Sequence, residues 1–214
     1  KKLNNAKSST KDNRAKNKAK TLENKKTNPA ASAKEEKKYY TQALKTQDLN
    51  EQIKLYTKAL QLAPAFTAAY HRRADAYKEQ GLIKKALADY SKAIALWPKD
   101  AFKYYARALV YMQQQNYASA AEDLTKAITL KKNYDDFYYQ RAIAFIALEK
   151  YKSALKDIDK IKDKEDVKNN PALKNELILM EGKVQFALYN YDAARSDFER
   201  ILAANPDDTQ ALVY

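Results

Sequence analysis

The chain has no cysteine, and only two glycines and one histidine occur among its 214 residues. Without cysteine it cannot form disulfides or thiolate metal sites. Gly81 and Gly182 are too few for a phosphate-binding P-loop or a dinucleotide-binding fingerprint. A hydrolytic triad would need His71 beside a nucleophile such as Ser91, and no pattern brings those residues together. We therefore predict that the protein is not an enzyme, with no catalytic residue, metal site or cofactor.

What the chain does contain is a segment that recurs with a period of 34 residues. Small residues mark the phase, and they are Ala74, Ala108 and Ala142, followed by Ala86, Ala120 and Ala154. Larger apolar residues recur between and after them, at Tyr77, Tyr111 and Phe145 and at Tyr90, Leu124 and Ile158. Pro64 and Pro98 close two of the repeats. A period of this length, with apolar residues three and four apart, predicts a solenoid of helix pairs.

The pattern resembles the tetratricopeptide repeat, a helix-turn-helix unit, from about Lys38 onward. The resemblance implies an all-α fold, a right-handed α-α superhelix of antiparallel helix pairs. We expect a basic tail over 1–32 and a solenoid over 33–214, with repeats at about 33–66, 67–100, 101–134, 135–174 and 175–208 and the start of a further helix at 209–214. The distance from Lys132 to Pro206 is six residues longer than two repeats, so the fourth repeat carries an insertion.

The expected helices, in pairs, are 33–46 with 49–63, 67–80 with 83–97, 101–114 with 117–131, 135–149 with 151–163, and 172–188 with 191–204. Capping boxes are predicted at Ser32 with Glu35 and at Asp48 with Glu51. Single caps are predicted at Asp100 and Asp208, after prolines. Helix caps also account for the carboxylate pairs Asp135–Asp136 and Asp207–Asp208, which is why we assign no metal to them.

A polar ladder runs through the repeats. Three arginines, Arg73, Arg107 and Arg141, are each followed 16 residues later by an aspartate, Asp89, Asp123 and Asp157. The constant spacing predicts a repeated ion pair between the two helices of a repeat, a structural feature and not a ligand site. The fifth repeat breaks the pattern, with Glu181 facing Asp197.

A second apolar stripe on the first helices is the strongest functional signal. In repeat three it consists of Phe102, Tyr105, Leu109 and Met112, and in repeat four of Tyr139, Ile143 and Ile146. The candidates beyond it are Leu179 and Phe186 in repeat five and the polar His71, Arg72 and Asp75 in repeat two. In the family the first helices line the concave face. The resemblance therefore implies a partner-binding groove, apolar and aromatic in its middle, for an extended peptide or an amphipathic helix.

Two alternatives stay open for this stripe. Leu109 and Ile143 are equally explained by packing against neighbouring repeats. The groove is also open to self-association, filled by the basic tail or by a second copy of the chain. Recognition of acidic chaperone tails is not expected, because the positions of the family's lysine–asparagine clamp hold residues such as Thr41, Arg72, Phe102 and Ala106.

The charge of the chain is concentrated at its start. Residues 1–38 carry 13 basic and four acidic side chains, whereas the other 176 residues carry 27 basic and 23 acidic ones. With only Leu3 and Leu22 as large apolar residues, the tail is predicted to be disordered. It is interpreted as a solvated linker, an arm for nucleic acid, or a segment drawn to an anionic membrane. The last two define the alternative function.

Localisation is not assigned by the sequence. Its richness in lysine, asparagine and tyrosine is typical of an AT-rich, bacterial genome. No signal peptide or transmembrane run is visible, and the chain starts without methionine and stops at Tyr214 within an apparent helix. We therefore expect both ends to be boundaries within a longer bacterial protein whose N-terminal signal or anchor has been trimmed, with the cytoplasm as the alternative.

Overall fold

The computed structural model describes residues 29–213, with side chains from residue 33 onward, and all regular elements in that range are helices. They are α1 (Pro29–Lys45), α2 (Leu49–Leu62), α3 (Thr67–Glu79), α4 (Ile83–Leu96), α5 (Ala101–Gln113), α6 (Tyr117–Leu130), α7 (Asp135–Ala147), α8 (Tyr151–Ile161), α9 (Glu165–Lys168), α10 (Pro171–Ala187) and α11 (Tyr191–Ala204). Across residues 29–213, no helix is both long enough and apolar enough to cross a membrane. The predicted disorder of the tail concerns residues outside this range, and the division into a tail and five repeats stays a prediction.

The predicted all-α class is confirmed, and the predicted helix ends lie within two residues of those observed. Two helix starts differ. Helix α10 begins one residue early, at Pro171, after Asn170 accepts a hydrogen bond from the Leu173 N–H. Helix α1 begins at Pro29, since proline is well suited to the first helical turn. Ser32 therefore lies inside α1, and the capping box predicted for it with Glu35 is wrong.

The other predicted caps are present in part. The Asp48 carboxylate accepts hydrogen bonds from the Asn50 and Glu51 N–H groups. The Glu51 side chain instead pairs with Lys54 at 2.9 Å, so only half of that capping box forms. Asp100 caps α5 through the Phe102 N–H. Asp208 accepts from two backbone N–H groups, yet the residues after it form hydrogen-bonded turns, so the further helix expected at 209–214 is not formed over 209–213.

The carboxylate pair at the start of α7 does not cap it. Tyr134 holds the N-cap position without a side-chain hydrogen bond, and Asp135 and Asp136 lie in the first turn. Carboxylates are favourable there because they face the positive end of the helix dipole. Asp135 pairs with Lys164, which leaves Asp136 exposed beside the tyrosines described below.

The described residues divide into two compact parts, with the boundary between Leu96 and Trp97. The first contains α1–α4 and the second α5–α11. Within each part, the two helices of a pair pack on each other and the second helix packs on the next pair. The six recurring alanines, Ala74, Ala86, Ala108, Ala120, Ala142 and Ala154, are all completely buried. Small side chains at these positions let the helix backbones approach closely, which explains the 34-residue recurrence.

Each of four first helices ends in a residue with a positive φ. These residues are Gly81, Gln115, Glu149 and Tyr189, with φ between 56° and 72°. At each, the next residue's N–H reaches back to a carbonyl five residues earlier, as when Leu82 donates to Tyr77 and Asn116 to Tyr111. This is the Schellman closure of a helix end. Only the first site has glycine, so the other three hold a strained side chain in the same turn.

The predicted ladder of ion pairs is confirmed. Arg73, Arg107 and Arg141 each donate two hydrogen bonds to their aspartate, at 2.6 to 2.9 Å. The three aspartates are buried. Arg73 and Arg141 also donate to Thr57 and Thr125 on the preceding second helix, at 2.9 and 3.0 Å. The guanidinium fork therefore joins three helices and sets their register.

The insertion of the fourth repeat folds into a short helix of its own. Helix α9 places Val167, only 2% exposed, in a cluster with Tyr138, Ile161 and Leu177. Burial of this one valine holds the insertion against α8 and α10. It also sets the start of α10, whose inner face carries several of the site residues.

Candidate partner-binding clefts

The second compact part contains a cleft of about 630 Å³ between α7 and α10, which we call the aliphatic cleft. Its apolar wall comprises Ile143 and Ile146 from α7 and Leu179 and Met180 from α10. All four are partly exposed. Three of them, Ile143, Ile146 and Leu179, are predicted site residues, and the structure brings these three together.

Polar side chains line the rim of the aliphatic cleft. They are Glu176 and Lys183 from α10 and Asp208 and Gln210 from the segment after α11. The Lys183 ammonium donates to Gln210 Oε1 at 2.7 Å and so ties that segment to α10. An apolar wall with a polar rim is the arrangement expected of a site for an amphipathic segment.

A second cleft, of about 260 Å³, adjoins the first through Glu176, which lines both; we call it the tyrosine cleft. Tyr105 and Tyr139 line it with Asp136, and Leu173 contributes apolar surface. The Tyr139 hydroxyl donates a hydrogen bond to Glu176. The structure thus places both predicted tyrosines in one cleft.

The tyrosine cleft is electrostatically negative. Burial and then the Asp136 charge raise the pKa of the Tyr105 hydroxyl to about 12. Burial and the hydrogen bond to Glu176 also raise the pKa of Tyr139. Both shifts have the sign expected when carboxylates oppose ionisation of a neighbouring phenol.

Phe102 and Tyr105 also have a structural role. Their rings pack on Phe137, which is completely buried, with centroids 5.7 and 5.0 Å from it. Tyr134 completes this aromatic cluster, 5.1 Å from the Phe102 ring, and the Lys131 ammonium lies 4.5 Å from the same ring. Phe102 is therefore shared between packing and surface. Sequence reasoning missed Phe137 and Tyr134, although their place at the junction of two repeats was a usable signal.

The other predicted residues lie outside the two clefts. Leu109 and Met112 are half-buried on α5. Phe186 is 39% exposed at the end of α10, where its ring packs on Tyr191 at 5.4 Å in a separate cleft of about 410 Å³ with Leu212. Its equivalence to Ile146 along the repeat therefore does not make it a neighbour of Ile146.

The predicted polar residues of repeat two lie in the first compact part. Asp75 accepts a hydrogen bond from the Tyr90 hydroxyl at 2.5 Å, with Arg72 at 3.5 Å and His71 at 3.8 Å. Tyr90 is completely buried, and this burial raises the pKa of its hydroxyl. Asp75 therefore serves first to satisfy a core tyrosine.

The three residues that sequence reasoning left out of the site are Asp136, Glu176 and Met180. Met180 follows Leu179 directly, and Glu176 lies one turn before it, so their place on the inner face of α10 could have been inferred. Asp136 was assigned to a helix cap, which concealed its position in the cleft.

Paired antiparallel helices with a 34-residue period and clefts between first helices define an α-solenoid of helical repeats. Three models of the tetratricopeptide repeat match the chain, at residues 74–115, 101–134 and 179–214. The chain therefore belongs to the tetratricopeptide repeat family. The family is generally a non-catalytic fold for protein interaction, and the repeats support a role in protein–protein interaction.

Solved structures agree on the fold. YrrB, described as a TPR protein with an unusual peptide-binding site, is 18% identical, with 91% of this chain and 95% of that chain covered and a TM-score of 0.71. A tetratricopeptide repeat protein from Parabacteroides merdae is 19% identical over 82% of this chain and 68% of its own, with a TM-score of 0.69. MamA is 19% identical over 82% of this chain and 90% of its own, with a TM-score of 0.65. No curated protein matches by sequence.

Proposed function

We propose that the chain is a non-enzymatic adaptor that binds a peptide or an amphipathic helix of a partner protein in the aliphatic and tyrosine clefts. The observation that carries the proposal is the aliphatic cleft itself. Ile143, Ile146 and Leu179 come from two repeats, yet they form one apolar wall of about 630 Å³. An exposed apolar concavity of this kind favours a binding site over a purely structural surface.

Two features support a protein ligand. The clefts lie side by side and share Glu176, so a segment several residues long can occupy both. The most similar architecture described above, YrrB, is itself described as having a peptide-binding site. Because that similarity is one of fold, it supports the class of ligand and not the ligand's sequence.

The test is capture of partners from lysate with the wild-type chain and with Ile146→Ser combined with Leu179→Ser. We expect a partner protein to be retained by the wild type and lost with the double variant. Leu44→Ser is the matched control, since Leu44 is a 48%-exposed leucine outside the clefts. Melting temperatures of all variants establish that they are folded. Equal capture by the double variant would contradict the proposal.

The charge of residues 1–38 motivates a second candidate, contact with nucleic acid or an anionic membrane through the tail. Binding of DNA, RNA or phosphatidylserine vesicles should then fall steeply with salt and disappear when residues 1–28 are removed. Binding that is unchanged by this deletion would dismiss the candidate.

A further inference from the structure

The charge of the two clefts is opposite to that of the chain. Together they are lined by four acids, Asp135, Asp136, Glu176 and Asp208, and by one base, Lys183. The chain as a whole carries a formal charge of +13. An acidic lining in so basic a protein favours a cationic ligand.

Not all of these charges are available to a ligand. Asp135 pairs with Lys164, Asp208 accepts backbone hydrogen bonds, and Lys183 donates to Gln210. Within residues 33–213, Asp136 and Glu176 make no ion pair, and both are exposed. The two carboxylates without a cation therefore lie at the tyrosine cleft, and Glu176 also borders the aliphatic cleft.

We propose that the clefts select a basic, apolar partner segment, whose aliphatic side chains enter the aliphatic cleft while its lysine or arginine side chains lie against Asp136 and Glu176. This inference rests on the proposed function and names the chemistry of its ligand. The faces of Tyr105 and Tyr139 add cation–π attraction for the same basic side chains. The selectivity is opposite to that of a groove for acidic tails.

The probes are two labelled 16-residue peptides with identical leucines and with either lysine or glutamate at the remaining positions. Binding to the full chain is measured by fluorescence anisotropy. We expect the lysine peptide to bind at least about tenfold more tightly than the glutamate peptide. Asp136→Asn combined with Glu176→Gln should weaken lysine-peptide binding about tenfold, since each exposed pair contributes up to about 1 kcal/mol.

The matched control is Asp166→Asn combined with Glu122→Gln, two exposed acids outside both clefts. It should change the affinity less than about twofold. Glutamine at position 176 can still accept the Tyr139 hydrogen bond, so the packing is kept. Loss of affinity in the control as large as in the cleft variant would reduce the effect to net charge and overturn the inference.

The other outcomes separate the inference from the proposed function. If both peptides bind equally and Ile146→Ser with Leu179→Ser abolishes binding, the cleft binds apolar segments without charge selection and the inference is wrong. If neither peptide's binding depends on those two residues, the proposed function fails as well. If a peptide of residues 1–28 binds more tightly than the lysine peptide, the preferred occupant is the chain's own tail and the partner assignment is overturned.

Discussion

The Lys162 ammonium lies 2.7 Å from the Glu181 carboxylate, and this contact takes the place of a missing arginine. In the three preceding repeats the ladder position is arginine, whereas here it is Glu181, beside the buried Asp197. Lys162 comes from the segment after α8 and also pairs with Asp159 at 2.7 Å. The insertion of the fourth repeat thus accompanies a change in how the ladder is neutralised.

We predict that Lys162→Met lowers the free energy of unfolding by about 1 to 2 kcal/mol, since it leaves Glu181 and Asp197 facing each other without this cation. Lys162 is 32% exposed, which limits the effect. Urea denaturation measures it. Addition of Glu181→Gln should recover most of the loss, and a double variant as unstable as the single one would show that the charge on Glu181 is not the cause.

Arg107→Ala should lower the free energy of unfolding by about 2 to 3 kcal/mol, because the Asp123 side chain, 8% exposed, loses two hydrogen bonds and its counter-ion. Thermal unfolding measures this change. The ladder lies outside both clefts, so peptide affinity below the melting temperature should not change. A weakened affinity with an unchanged melting temperature would assign the arginine to binding instead.

The two glycines should respond differently to alanine. At Gly81 an added Cβ meets no atom within 4 Å, and the cost of about 1 kcal/mol arises only from φ at 72°. At Gly182 the same Cβ lies 2.8 Å from the Phe198 ring, so Gly182→Ala should cost about 2 kcal/mol or more through displacement of that ring. Chemical denaturation compares them. Gln115→Gly, at the position equivalent to Gly81, should not be destabilising; a loss there would refute strain as the explanation.

The Asp197 pKa is raised by burial and by the nearby Glu181 charge. A carboxyl whose folded pKa is raised contributes stability below its unfolded pKa of 3.8 and loses it as pH rises through the raised value. Asp197→Asn should therefore be more stable than the wild type at pH 7, by about 1 kcal/mol, with the difference shrinking toward pH 3. Denaturation between pH 3 and 7 tests this, with exposed Asp192→Asn as control. A pH-independent difference would contradict the assignment.

Helix positions were predictable because packing repeats with the sequence. The alanines at 74, 108 and 142 are all completely buried, and helices α2 to α8 begin at their predicted residues. The start of α1 was not, since the Ser32–Glu35 pattern outweighed Pro29. For the site, the sequence predicted the face of α7 and α10 on which Ile143 and Leu179 lie. Whether these side chains meet depends on the helix offset, which α9 changes and no periodicity encodes.

By itself, the sequence determined the repeat, the helices and the arginine–aspartate ladder, because each of these depends on contacts at a constant spacing along the chain. Only the tertiary structure decided which side chains face one another across different repeats. It placed Glu176 between two clefts, moved Phe186 away from Ile146, and left Asp136 and Glu176 without a cation among the described residues. These outcomes depend on how neighbouring helices are offset and on how the insertion packs through Val167, which are properties of side-chain packing in three dimensions.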